Sequence, residues 1–150
     1  MTVVKFKRLK NDAIVPSKST KGAACYDCYL PETYPPLEPR EIRIVDLGFS
    51  VEVPVNYELQ VRARSGLASK GIIVANGVGC VDSDYRGSVG VILWNSSGAI
   101  QPLNRGDRIC QVKLALAPEI DWVVVDEFED RETEREGGFG STGGHDSINK

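Results

Sequence analysis

Short runs in which apolar and polar residues alternate, each closed by proline, glycine or asparagine, commit this chain to β structure. Glu41-Ile42-Arg43-Ile44-Val45, Leu47 to Val53, Tyr57-Glu58-Leu59-Gln60-Val61-Arg62-Ala63 and Ile109 to Leu116 all follow a period of two. That period sends successive side chains to opposite faces of a sheet. Val3 to Leu9 reads as a first strand, and Trp122-Val123-Val124-Val125 as a last one. Ile72 to Ala75 and Val89 to Asn95 read as the arms of a hairpin. Pro31, Pro35, Pro36 and Pro39 break the chain between the early runs. Strands separated in this way predict a barrel or sandwich rather than βαβ units. The one departure is Arg64-Ser65-Gly66-Leu67-Ala68-Ser69-Lys70-Gly71, where Ser65 reads as an N-cap and Gly71 as a left-handed stop for one or two helical turns.

A chain of 150 residues fits one domain and buries roughly 70% of its unfolded surface. With 18 basic and 21 acidic residues it has no global positive field to hold nucleic acid by its phosphates. No apolar run approaches the roughly 20 residues that a membrane span needs. The N-terminus shows neither a secretory nor a transit pattern, so the chain is expected inside the cell, cytoplasmic or nuclear. Cys25-x-x-Cys28 lacks a second pair at zinc-finger spacing, and the four cysteines read as small buried thiols.

Functional groups concentrate in Gly77-Val78-Gly79-Cys80-Val81-Asp82-Ser83-Asp84-Tyr85-Arg86-Gly87. Glycines allow sharp turns and close approach of a ligand to the main chain, while Asp82, Asp84 and Tyr85 supply a base, a charge and a flat ring. Asp27 stands among apolar neighbours and needs a partner. Arg64 immediately precedes the helical turn, whose first N–H groups favour an anion. From Glu127 the composition turns to charge and then to Gly137-Gly138-Phe139-Gly140-Ser141-Thr142-Gly143-Gly144, which cannot build a core. A lone Phe139 beside Arg135, Ser141 and Thr142 suits an arm that folds over a ligand. A P-loop is excluded, because no Gly-Lys-Ser/Thr follows these glycines.

Taken in order, Arg64 to Ala68, Val81 to Gly87, Gly106-Asp107-Arg108-Ile109-Cys110-Gln111 and Gly137 to Gly143 resemble the motif series of the homotrimeric dUTPases, with Asp27 in the first motif. The resemblance spans roughly Ala23 to Gly143. It implies an all-β fold, a distorted jelly-roll β-barrel with one short helix and a mobile glycine-rich C-terminal arm. It implies a barrel over 1–130 and an arm over 131–150 that closes an active site shared between subunits. The implied reaction converts dUTP and water to dUMP and pyrophosphate with Mg²⁺, limiting uracil in DNA and supplying dUMP. Asp82 matches the general base and Tyr85 the ring under deoxyribose. Ser65, Gly66 and Gln111 match phosphate contacts, supported by Arg64. Asn76 and Gly79 match the uracil edge. Asp27 matches an acid near the metal, acting through water. Phe139 matches the residue that stacks on uracil, Gly140 beside it a substrate contact, and Arg135, Ser141 and Thr142 the β and γ phosphate contacts. Cys25, Cys28, Ala63 and Ser88 depart from the usual motif residues, Ser88 from a frequent glutamate, and the spacing from Arg135 to Phe139 is one residue short. A dCTP deaminase on the same fold lacks such an arm. A non-enzymatic regulator would not need both Asp82 and Tyr85.

Overall fold

The computed structural model describes residues 1–129, and the period-two runs form strands there. In chain order these are β1 (Lys5–Arg8), β2 (Tyr26–Tyr29), β3 (Tyr34–Leu37), β4 (Ile42–Asp46), β5 (Phe49–Glu52) and β6 (Tyr57–Arg62). The helical turn α1 (Ser65–Ala68) comes next, followed by β7 (Ile72–Val74), β8 (Gly79–Val81), β9 (Gly90–Asn95), β10 (Gln101–Leu103) and β11 (Arg108–Leu116). They form a four-stranded sheet in the order β2-β11-β6-β8, a three-stranded sheet β4-β9-β7, and the pairs β1-β5 and β3-β10. The described pairings are antiparallel. The fold is all-β with one short helix, as expected. None of its described helices is long and apolar enough to cross a membrane.

Alternation decides which face enters the core. Leu59 and Val61 of β6 and Val91, Leu93 and Asn95 of β9 are buried, while their neighbours Gln60, Arg62, Ile92 and Trp94 are only partly covered. Phe49, Leu30, Leu37 and Leu47 fill the centre with almost no exposure. Cys28 and Cys110 face each other across β2 and β11 and are buried. Their mutual hydrogen bond, and then burial, pushes the Cys28 thiol well above the ordinary range. The buried-thiol expectation holds for these two, whereas Cys25 is half-buried and Cys80 exposed.

Asn95 is the polar residue that the core cannot lose. Its side-chain amide donates to the carbonyls of Leu37 (3.1 Å), Glu38 (3.1 Å) and Ala99 (2.8 Å). Its Oδ1 accepts from Ser97 N (3.1 Å) and Ser97 Oγ (2.7 Å). One buried side chain thus joins the end of β9 to the turn after it and to the chain leaving β3. Asn95→Ala strands buried acceptors and opens a void, so it should cost about 3 kcal/mol and lower the melting temperature by about 10 °C. A thermal melt followed by circular dichroism checks this, and a shift below about 2 °C would refute the anchoring role.

Four expectations are corrected. The first strand is shorter than Val3 to Leu9. Pro35 and Pro36 lie inside β3, which is possible because among the described residues β3 pairs only with β10, through an irregular register, and proline is tolerated where few ladder bonds are required. The hairpin is half right: β7 does pair with β9, but Gly79–Val81 between them crosses to pair with β6 in the other sheet. Gly77, at φ 74°, turns the chain toward that second sheet in a conformation that glycine adopts without strain. Finally, Trp122–Val125 forms no strand. A compact unit spans Met1–Glu119, and Ile120 begins a separate one. Residues 120–129 carry no regular element, with Trp122, Val123, Val124 and Phe128 exposed. Strand propensity alone does not make a strand.

Candidate active site

Two sites gather the residues that the motifs single out, the first one cavity and the second a pair of smaller ones. The larger, about 390 Å³, is lined by Ser19, Ala23, Ala24, Cys25, Asp27, Arg64, Ser65, Gly66 and Gln111. Asp27 organises it from β2, held between a bridge to Ser17 on one side and β11 on the other. It is 8% exposed. Arg64 Nε donates to Asp27 Oδ1 at 2.8 Å, while Ser19 Oγ donates to Oδ2 at 2.9 Å and Arg108 Nη1 approaches Oδ2 at 3.4 Å. Arg64 Nη1 also donates to the carbonyl of Arg108 at 3.0 Å. Gln111, opposite Asp27 in the register, donates from Nε2 to the carbonyl of Ala63 at 2.7 Å. That bond ties β11 to the residue before the helical turn.

The helix begins one residue earlier in its capping than expected. Arg64, in extended conformation, occupies the N-cap position without a side-chain cap bond, and Ser65 is the first helical residue. Gly71, at φ 87°, supplies the expected left-handed stop. The hydroxyl of Ser65 is therefore not committed to capping and lines the cavity with Gly66. Two guanidinium groups against one carboxylate leave this cavity with an excess positive charge, and its amide and hydroxyl groups are further donors. Such a site suits a multiply charged anion. It does not suit a cation: both oxygens of Asp27 are taken by guanidinium and hydroxyl donors. Asp27 thus bonds directly to arginines and a hydroxyl, whereas the contact expected of it with a metal runs through water. Among the described residues no three acidic, histidine or cysteine side chains cluster to hold a metal ion.

The second site lies at the far edge of the same sheet, around β8. Asp82 and Tyr85 line a cavity of about 180 Å³ with Cys80, Val81, Ser88, Val89 and Gly90. Asn76 and Gly79 line an adjoining one of about 110 Å³ with Val61 and Ile92, and the two share Cys80, Val81 and Gly90. A Cβ at Gly79 would crowd Asn76 Nδ2 at 3.2 Å, so a larger residue here would push on that side chain. The Cys80 thiol is pushed up, first by its hydrogen bond to Glu58 and then by burial. Asp82 is exposed.

The structure thus brings Arg64, Ser65, Gly66 and Gln111 together, and separately Asn76, Gly79, Asp82 and Tyr85. It does not bring the two sets to each other. Gln111 faces Arg62 on β6, while Val81 faces Leu59 two strands away from β11; strand spacing and rise put Asp82 on the order of 15 Å from Gln111. Ser19 was not legible as a site residue, because only the long-range bridge of its segment to β2 carries it there; Arg108 was marked by being polar in an apolar strand. Arg135, Phe139, Gly140, Ser141 and Thr142 lie outside the described residues.

A family model described as dUTPase matches residues 11–143, a span that takes in both sites and the glycine-rich segment. The chain belongs to the dUTPase family. It is 47% identical over 148 residues to the deoxyuridine 5'-triphosphate nucleotidohydrolase of Caulobacter vibrioides strain NA1000 / CB15N, covering 93% of this chain and 94% of the relative. It is 40% identical over 142 residues to the protein of the same name in Nautilia profundicola, covering 93% and 98%. Its fold matches the dUTPase of Staphylococcus bacteriophage 80alpha with dUpNHpp, at a TM-score of 0.82 and 24% identity over 95% of this chain and 99% of that one. It also matches the dUTPase of phage phi11 of S. aureus, described for its coordination of a structural Mg(II) ion, at a TM-score of 0.75 and 24% identity, covering 86% and 100%.

Proposed function

We propose that this chain is a dUTP diphosphatase that converts dUTP and water to dUMP and pyrophosphate, in sites completed between the copies of a homotrimer. The separation of the two sites carries this reading. A general base works within hydrogen-bond reach of the water it activates, and roughly 15 Å of sheet lies between Asp82 and the phosphate-binding donors of the same chain. The nucleoside cavities of one copy and the positive cavity of another, brought face to face, remove that gap. An apolar face supports association: Ile42 and Ile44 of β4 are 61% and 72% exposed, and in the register Ile42 neighbours Trp94, which neighbours Ile73 in turn, while Ile44 neighbours Ile92. Exposed apolar patches on a soluble fold are characteristic of protein interfaces.

In the proposed mechanism Asp82 takes a proton from water as its oxygen forms a bond to the α-phosphorus, and the bond from that phosphorus to the bridging oxygen breaks to release pyrophosphate. Arg64, Ser65, Gly66 and Gln111 hold and compensate the phosphates, so no covalent nucleophile is needed. Asn76 and the backbone at Gly79 read the uracil edge, and Tyr85 packs under the sugar. The glycine-rich arm, through Phe139 and Gly140 on the base and Arg135, Ser141 and Thr142 on the outer phosphates, completes the enclosure. Mg²⁺, when bound, neutralises phosphate charge; it fits the reading as an ion carried by the triphosphate, because Asp27 is occupied by arginines. The test is pyrophosphate release with dUTP, UTP, dTTP and dCTP in parallel, with and without Mg²⁺. Preference for dUTP by about a hundredfold or more is expected. Equal turnover of all four would reject the reading.

A further inference from the structure

We infer that Asp46 and Ser88 are positioning residues that fix the ring of Tyr85, and with it the rejection of a 2′-hydroxyl; the inference deepens the dUTPase reading and rests on it. Tyr85 is 44% exposed, so packing alone does not hold its ring. Two local contacts do. Its Oη donates to the carbonyl of Ser88 at 2.9 Å. Its ring lies against Gly87, where a Cβ would come within 2.4 Å of Oη and 2.6 Å of Cζ. The ring's place is therefore set by where the main chain of Gly87 and Ser88 runs.

That main chain is held from outside the loop. Ser88 Oγ donates to Asp46 Oδ1, which also accepts the N–H of Gly48 at 2.9 Å. Lys10 Nζ lies 3.6 Å from Asp46 Oδ2 and donates to Glu32 and Tyr34. Tyr34 Oη in turn donates to the carbonyl of Asp46 at 2.8 Å. Asp46 sits at the end of β4, opposite Gly90 of β9. Burial alone would push its carboxyl up, but the bonds from Ser88 and Gly48 and the nearby Lys10 hold it low, so it stays a charged acceptor for the Ser88 hydroxyl. One end of the loop is fixed by β8 on β6; at the other, Val89 is bonded through its backbone to Leu47 and Phe49, and the clamp holds Ser88, the residue before it. Arg86 only wraps the loop onto itself, through the carbonyls of Ser83 and Tyr85. A charge-assisted bond of this kind is worth more than a neutral one, and a displacement of about 1 Å at a positioning residue can change a rate about a hundredfold.

The test measures kcat and KM for dUTP and UTP in the wild type, Ser88→Ala, Ser88→Thr, Asp46→Asn and the Asp46→Asn/Ser88→Ala double variant, each checked for folding by thermal melt. Ser88→Ala and Asp46→Asn should lower the dUTP to UTP ratio of kcat/KM at least about tenfold, through a gain with UTP. Ser88→Thr, which keeps the hydroxyl, should restore the ratio to within about threefold, and the double variant should be no worse than the worse single one. A ratio unchanged in both single variants, or a double variant whose loss is the product of the two, would overturn the clamp. A second readout does not depend on turnover: the ring signals of Tyr85 in a tyrosine-labelled NMR spectrum, assigned by their absence in Tyr85→Phe. They should shift in Ser88→Ala and return in Ser88→Thr. If the wild type fails to hydrolyse dUTP, the proposed function falls while this spectrum still decides the clamp, and unchanged signals would reject it.

Discussion

Asp82→Asn is expected to lower kcat with dUTP by about a thousandfold, within the range measured for loss of a general base, while nucleotide binding changes by less than about threefold. The substitution keeps the shape of the side chain and removes only its ability to accept the proton of water. Because Asp82 is exposed and, among the described residues, takes part in no ion pair, its replacement disturbs no structural contact. Stability should stay within about 0.5 kcal/mol. A loss of activity accompanied by a large drop in melting temperature would therefore not count in favour of the base. Asp84, two residues on and also exposed, is the internal control. Its conversion to asparagine should cost far less, and equal losses at both positions would mean that loop charge, rather than one placed carboxylate, is what matters. The decisive measurement is pyrophosphate release at saturating dUTP beside binding of a non-hydrolysable analogue. Wild-type-like release by Asp82→Asn would remove the residue from the mechanism.

The residues that could be read from the sequence are those whose role follows from local pattern. Alternation in β6 revealed a strand because Leu59 and Val61 turn one face inward, whereas in β4 the same pattern marks an exposed apolar face at Ile42 and Ile44; Gly71 revealed the end of α1 because its backbone conformation excludes most side chains. Partnership across the fold left no such trace. Nothing near Asp46 in sequence announces Ser88, 42 positions away, and nothing near Asp27 announces Arg64, 37 positions away. The same holds for β8, whose three residues pair with β6 rather than with the strands flanking them in sequence. The motif resemblance located Asp27 but gave it to a metal; only the observed guanidinium neighbours show what its charge balances. Trp122–Val125 erred the other way, since its composition favours a strand and pairing decides.

Asp27→Ala carries the second large effect, because one side chain holds the positive cavity together. The carboxylate is 11% exposed and pairs with Arg64, itself 25% exposed, at 2.8 Å; its longer contact to Arg108, 47% exposed, is screened and adds little. Removing one partner of a largely buried pair leaves an uncompensated charge and costs about 3 kcal/mol, seen as a fall of about 10 °C in melting temperature. Turnover should fall about a hundredfold, since Arg64, freed from Asp27, no longer presents a fixed fork to the phosphates. The sign of the KM change separates two roles. If Asp27 only offsets positive charge, its loss makes the cavity more positive and KM for dUTP drops; if it orients Arg64, KM rises. A rise is expected, and Asp27→Asn, which can still accept one hydrogen bond from Arg64, should recover part of both losses. Raising Mg²⁺ distinguishes the remaining possibility. A carboxylate that served the metal's water shell would leave a variant relieved by excess Mg²⁺, whereas one that holds arginines leaves a variant indifferent to it. Indifference is expected, and recovery of activity with added Mg²⁺ would return Asp27 to the metal and overturn the assignment made from its guanidinium neighbours.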